Sequence, residues 1–283
     1  MIGHLWYSLA SGGAALVVGF VAGYMAWGKA VRVHAAGQSS PLACLPLLAG
    51  VLAGFAVILP LLPGLLAPHD KFYSTQDVIR MVLAVSASVI LLFCWYFYPK
   101  YLPGVFPAGV RWCVHFVFEL VACVCVSLAG VRFSVLSPIP GTEVALGAWA
   151  WPATIVWMLV AMNVVKLLDG LEGAASVLLL VAAVAVFHTT LGTQEHFLNA
   201  FAAVLAGASL ASLRFTAYPA RMSLRGAGSS VAGFLFAVLT VLARQKTVAT
   251  LLLVFPLILV VILVGGIVLG GLERILFSDR EGQ

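Results

Sequence analysis

Nine apolar runs, each near the length of a membrane-spanning helix, follow one another along this chain with only short breaks between them. A helix crosses the hydrocarbon core of a bilayer in about 20 residues. The runs fall at roughly 5–27, 42–67, 79–98, 111–130, 146–168, 173–191, 196–213, 227–244 and 247–272. Hydrophobic side chains make up 63% of the 283 residues and charged ones only 9%, where a soluble domain carries about 25% charged residues. So few charges cannot cover the surface of a water-soluble fold of this size, whereas lipid accepts apolar faces and demands that every span satisfy its own backbone. A soluble fold is excluded. The expectation is an all-α, polytopic transmembrane helical bundle of about nine helices, forming a single integral membrane domain over residues 1–283.

Only His4 is ionisable before Lys29, so the first run reads as a retained helix rather than a cleaved signal peptide. Pro60 and Pro63 are expected to bend the second run and Pro256 the ninth, which neighbouring helices can tolerate. If the amino terminus lies outside, the inner side holds Lys29, Arg32, Lys100, Arg111, Lys166, Arg214, Arg221, Arg225, Arg274 and Arg280. The outer side then holds Lys71, Arg80, Arg132, Arg244 and Lys246. This bias places the amino terminus outside and the carboxyl terminus in the cytoplasm, although Arg244 and Lys246 run against it. The formal net charge of +5 is the ordinary result of that bias, and the basic residues are too scattered to form a nucleic-acid footprint. Cys44, Cys94, Cys113, Cys123 and Cys125 lie in or beside apolar runs without metal-ligand spacing, and read as small hydrophobes packed between helices. The outer stretch 131–145, with β-branched residues, two prolines and a Gly-Thr turn, is expected to form a short hairpin.

Ionisable residues at membrane depth are costly and mark protein interiors or aqueous cavities. Three groups stand out. Asn163, Lys166, Asp169 and Glu172 recur every three residues and drift slowly round one helix face, with Gly170 and Gly173 breaking the helix at the inner surface. They suit either a metal or phosphate site at a helix end, or a Lys166–Asp169 ion pair with Glu172 facing the cytoplasm. Arg111, His115 and Glu119 follow at i, i+4 and i+8 on the fourth run. There the deep Glu119 needs a partner, and His115 one turn away offers a buried pair or a catalytic dyad. Finally, Arg214, Arg221 and Arg225 precede the Gly-rich start of the eighth run with Ser229. Basic side chains beside a helix amino terminus suit a phosphate, and plain positive-inside topology would place arginines there as well.

Taken together, these residues resemble the polyprenyl-phosphate N-acetylhexosamine-1-phosphate transferases, a family that includes the phospho-MurNAc-pentapeptide and undecaprenyl-phosphate GlcNAc-1-phosphate transferases. That family's Asn-x-x-Asn-Leu-x-Asp-Gly-x-Asp-Gly-Leu-Ala motif is matched by NVVKLLDGLEGAA from Asn163. Its Leu-x-x-Asn-x-x-Pro-Ala-x-x-Phe-Met-Gly-Asp-x-Gly-Ser motif is matched by LRFTAYPARMSLRGAGS, Leu213 to Ser229. Its paired aspartates at the end of the third helix fall on Phe97 and Tyr98, and Arg111 and His115 stand where its basic fourth helix begins. The likeness runs from about 30 to 270. Family members continue into a His-rich loop and a further helix beyond the point where this sequence ends, at Gln283.

The resemblance implies magnesium in the family's pocket and Asp169 as its ligand here, should a metal bind at all. Asp169 and Glu172 are the catalytic candidates it leaves. Asn163, Lys166, Arg111, His115, Arg221, Arg225 and Ser229 are the substrate-binding ones. Lys166 replaces the motif's second Asn, Glu172 its second Asp, and Arg225-Gly226 the later Gly-Asp. Magnesium is held by carboxylates with substrate phosphates, so losing three carboxylates while gaining two cations makes the pocket basic. The leading expectation is a degenerate, metal-independent relative that binds polyprenyl phosphate or another anionic membrane lipid, or serves as a partner subunit in envelope-glycan assembly. It needs no cofactor, has no nucleic-acid partner and lies in a bacterial inner membrane. A homodimer is expected only by analogy. The alternatives are a working transferase moving a sugar phosphate from a UDP-sugar, with Arg111, Lys166 and Arg225 as electrostatic stabilisers, and a transporter or flippase.

Overall fold

A computed structural model of the chain describes residues 45–61, 74–101, 108–133, 135–136, 144–168, 173–191, 195–217, 224 and 226–243, together with helical positions 17, 18, 20, 21 and 24. Seven helices are delimited among these residues: α1 (Leu45–Leu61), α2 (Thr75–Tyr101), α3 (Ala108–Leu128), α4 (Ala150–Leu168), α5 (Ala174–Thr190), α6 (His196–Thr216) and α7 (Ala227–Leu242). Each coincides with one apolar run, from the second to the eighth. The ninth run and Pro256 lie outside the described residues, as does Pro63. By length and composition, Thr75–Cys94, Gly147–Leu168 and His196–Thr216 can each cross a membrane; Pro46–Ala56, Cys113–Leu128, Ala174–Thr190 and Ala227–Leu242 are shorter apolar helices. The fold is a helical membrane bundle.

Its centre is made by α6 and α7. Every residue of α7 is buried, and all of α6 except Leu210, Leu213 and Arg214. A helix that is apolar all round belongs inside a bundle, and both sequences are rich in Ala, Gly and Ser, which let backbones approach closely. The most extensive packing joins α5 to α6 and α4 to α7, followed by α1 on α6 and α2 on α3. In lipid the hydrophobic effect does not drive helices together, so shape and interhelical hydrogen bonds carry the association. Phe55 of α1 stacks on Phe201 of α6 with ring centroids 5.4 Å apart. A Cβ added at Gly233 of α7 would lie 2.8 Å from Met162 Cα of α4, so those two backbones meet where only glycine fits.

Hydroxyls join the same helices. Ser176 and Ser212 share a hydrogen bond of 3.0 Å between α5 and α6, and Thr216 donates to Ser176 at 3.2 Å. At the other end of this pair, Asn199 donates to Thr190 Oγ1 at 3.2 Å. Ser88 of α2 donates to the Ala122 carbonyl of α3. Ser74 caps α2, accepting from Asp77 N–H at 3.2 Å while its hydroxyl donates to the Asp77 carboxylate at 2.6 Å. The side-chain hydroxyl thus satisfies an orphan donor of the first turn.

The hairpin expected at 131–145 is present as a minimal antiparallel pair, β1 (Val135–Leu136) and β2 (Val144–Ala145), in which Val135 faces Ala145 and Leu136 faces Val144. It is tied to the bundle beside it. Phe133 N–H donates to Thr154 Oγ1 at 3.0 Å, the Phe133 ring meets Trp157 edge-on, and Trp157 Nε1–H donates to Thr240 of α7 at 3.1 Å. Arg132 lies over the Trp151 ring at 5.5 Å, an arrangement suited to a membrane–water interface.

The cysteines correct the sequence expectation in part. Cys123 is packed between helices, 3.8 Å from Met162 Sδ, but Cys94, Cys113 and Cys125 are exposed. On a lipid-facing surface an apolar thiol needs no burial, so hydrophobicity alone does not send it inward.

Replacing Gly233 by Ala is predicted to destabilise the protein by about 1–3 kcal/mol through overpacking against the Met162 backbone. Thermal unfolding in detergent, with Leu210→Ala at an exposed position as the comparison, will show a lower midpoint for the Gly233 variant alone.

Candidate functional site

Glu119 lies midway along α3 with its side chain only 1% exposed. Three groups from three helices converge on its Oε1. His115, one turn earlier on α3, approaches through Nε2 at 3.1 Å. The Lys166 ammonium arrives from the last turn of α4 and makes the closest ion pair at the site. From the first turn of α7, the Ser230 hydroxyl donates at 3.3 Å and also lies 3.4 Å from His115 Nε2. His115 and Lys166 keep 24% and 22% of their side-chain surface exposed. The arrangement is a buried carboxylate with a cation and an imidazole at its open side.

The backbone explains how these groups meet. Residues 115 and 119 share a face because a helix repeats every 3.6 residues. Lys166 reaches α3 because α4 packs against it. Ser230 is close because α4 and α7 meet at the glycine contact described above. Gly173 begins α5 with φ +77°, a left-handed conformation that glycine adopts without strain, and a Cβ there would sit 3.2 Å from the Thr216 carbonyl. Its freedom brings the start of α5 against the end of α6, next to the Ser176–Ser212–Thr216 hydroxyls.

Of the site residues expected from the sequence, the structure brings His115 and Lys166 together. Asn163 is exposed and donates to the Leu159 carbonyl of its own helix at 2.7 Å. Ser229 closes its local turn: its N–H donates to Leu224 O at 3.1 Å and its hydroxyl to Gly226 O at 3.0 Å. The adjacent Ser230 is the one that faces the cluster. Asp169, Glu172, Arg221 and Arg225 lie outside the described residues, and Arg111 is described only as a backbone position in α3. The Lys166 ammonium lies on Glu119 of α3, and the Lys166–Asp169 pair considered above falls outside the described residues with Asp169. A carboxylate exposed to only 1% carries a large penalty if left unpaired.

Glu119 as Lys166's partner and Ser230 as a cluster member were not legible as such. The available signal was charge accounting between the fourth and fifth runs. A deep acid demands a cation, and Lys166 is the basic residue of the neighbouring run.

The described residues do not suit magnesium. A hard divalent cation needs carboxylate oxygens turned towards it, and here Glu119 Oε1 is already occupied by an ammonium, with an imidazole and a hydroxyl beside it. Among the described residues no three His, Cys, Asp or Glu side chains gather as a metal-binding group. A fixed ammonium in the same place would repel the ion.

Removing the cation should therefore be costly. Lys166→Met leaves Glu119 buried without a counter-charge, for an expected loss of about 3–5 kcal/mol. The double variant Glu119→Gln/Lys166→Met should recover most of it. Melting temperatures of the two proteins in one detergent will check this coupling.

Residues 106–244, from just before α3 to just after α7, match the model of glycosyl transferase family 4. The chain is 24% identical over 147 residues to a Bacillus subtilis (strain 168) protein named "Probable undecaprenyl-phosphate N-acetylglucosaminyl 1-phosphate transferase", covering 52% of this chain and 41% of that protein. It is 30% identical over 135 residues to a phospho-N-acetylmuramoyl-pentapeptide-transferase of Clostridium botulinum (strain Eklund 17B / Type B), covering 47% and 37%. With the enzyme of that name from Clostridium novyi (strain NT) it is 32% identical over 124 residues, covering 44% and 34%. The matched region thus spans well under half the length of these curated relatives. Over residues 106–244, the helices that build the Glu119 site, this chain is a divergent relative of the glycosyl transferase family 4 membrane proteins.

Proposed function

We propose that the protein is a metal-independent relative of the polyprenyl-phosphate sugar-1-phosphate transferases that binds a lipid phosphate instead of transferring a sugar phosphate. The observation that carries this reading is the Lys166 ammonium held on Glu119 inside the segment that matches the family. In phosphoryl transfer a metal ion neutralises charge as it develops on the phosphates. A lysine set at a motif position, 22% exposed and flanked by His115, offers N–H donors to a phosphate oxygen and no carboxylate to magnesium. Arg221 and Arg225, in the sequence that precedes α7, are assigned to the same anion, and so is Arg111 near the start of α3. A role as partner subunit in envelope-glycan assembly is compatible with the same scaffold. The proposed setting is one integral membrane domain over residues 1–283 in a bacterial inner membrane, amino terminus outside and carboxyl terminus cytoplasmic, with the pocket opening to the cytoplasm.

A second reading keeps the chemistry, because Asp169 matches the family motif and Glu172 preserves a carboxylate. Lys166, Arg111 and Arg225 would then neutralise charge in place of a metal. The two readings part in one assay. Purified protein given a UDP-sugar and polyprenyl phosphate, with and without magnesium and EDTA, is expected to release no UMP. Magnesium-dependent release abolished by Asp169→Asn would overturn the first reading, and release that survives EDTA would establish the second.

A further inference from the structure

The side chains that meet between α3, α4 and α7 are not equally placed. The Glu119 carboxylate, 1% exposed, lies behind the Lys166 ammonium and the His115 ring, whose side chains are 22% and 24% exposed. The side chains of Lys166 and His115 are thus the parts of the cluster left for a ligand to reach. Lys166 has three N–H donors, and Glu119 Oε1 engages one side of it, so donors remain for a ligand without the pair being broken. The field at that opening is a different matter. A unit positive charge with a unit negative charge in contact behind it acts on a third group as a dipole, not as a net cation. In a protein interior the Coulomb energy of even one such charge is large.

We propose that Glu119 is a resident counter-anion: it fixes the Lys166 ammonium and the His115 ring at the open side of the site and, by cancelling the charge of Lys166, lowers the site's affinity for a phosphate monoester. The inference rests on the phosphate-binding reading above. Its physical logic is that a bare ammonium at membrane depth is expensive, so the site must carry its own anion to exist without ligand. The same anion then opposes an arriving phosphate and makes its binding reversible. The carboxylate is a positioning and tuning residue held in part by the buried Ser230 hydroxyl, and the ligand contacts are left to Lys166 and His115. The phosphate monoester can be a lipid headgroup or free phosphate, since the donors are the same.

The test uses the full chain in nanodiscs, followed by phosphorus NMR titration in two arms. One arm adds inorganic phosphate, and the other includes polyprenyl phosphate in the bilayer. Glu119→Gln is nearly isosteric and keeps an acceptor oxygen for Lys166, so it should tighten binding by about tenfold or more. Glu119→Ser, which removes the charge with a different shape, should give a gain of the same sign. Glu119→Gln/Lys166→Met should lose binding although it folds, showing that the gain works through the ammonium. A gain confined to the bilayer arm assigns the lipid headgroup, and one confined to the soluble arm assigns free phosphate. Unchanged or weaker binding in both charge-removing variants, where the wild-type protein binds, overturns the counter-anion role and leaves the phosphate-binding reading standing. Absence of binding by the wild-type protein and by both variants in both arms overturns the two together. If neither variant folds, the carboxylate is purely structural and the proposal fails.

Discussion

A carboxylate buried among membrane helices has to be neutralised, and in this protein that requirement ties together the parts that matter. Glu119 sits on α3, its ammonium partner on α4 and its hydroxyl partner on α7. Each group could satisfy itself in some other way on an isolated helix, but only one packing of the three helices satisfies all of them at once. Breaking a buried pair by deleting one partner is far more damaging than never having had it. The ion pair therefore acts less as a source of stability than as a condition on which helices meet and in what register.

That register is made possible by small residues. The closest backbone approach, Gly233 on Met162, lies on the α4–α7 interface that also presents Ser230 to Glu119. Lipid supplies no hydrophobic drive between helices, so a gap here would cost dispersion contacts that nothing else replaces. The hydroxyl links between α5 and α6 act in the same way, fixing the start of α5 against the end of α6. Packing and chemistry are thus not separate layers: the same small side chains that let α7 sit fully buried also set the position of the charged cluster.

On the proposed reading, the exchange of an asparagine-type position for Lys166 changes what the site would bind. Carboxylates and amides facing a cavity gather a hard cation and, through it, phosphates. An ammonium in that place repels the cation and interacts with the phosphate directly. The membrane raises the stakes of the change, because an unpaired charge at depth is costly. Lys166 is found with an acid from the neighbouring helix, and under the counter-anion proposal that same acid limits how strongly it would hold a phosphate.

Much of the architecture could be read from the chain itself. The spacing and composition of the apolar runs located α1 to α7 to within a few residues, because in lipid an apolar segment of that length has no alternative to a helix. The short hairpin at 131–145 was signalled by β-branched residues and turn formers. The i, i+4 pairing of His115 with Glu119 followed from helix geometry alone, and the motif order from Asn163 to Ser229 pointed to the family that residues 106–244 match. What the sequence could not determine was which charges would meet. The sequence offered Lys166 the nearby Asp169 as a partner, and only the structure places its ammonium on Glu119 of α3. Ser229 and Ser230 look alike in sequence, yet only Ser230 faces the cluster. Likewise, nothing in the sequence distinguishes the buried Cys123 from the exposed Cys113 and Cys125. These choices depend on how each helix is rotated about its axis against its neighbours, and that rotation is set by close packing between residues far apart in the chain. Local periodicity determined the helices, and tertiary contact alone decided the pocket.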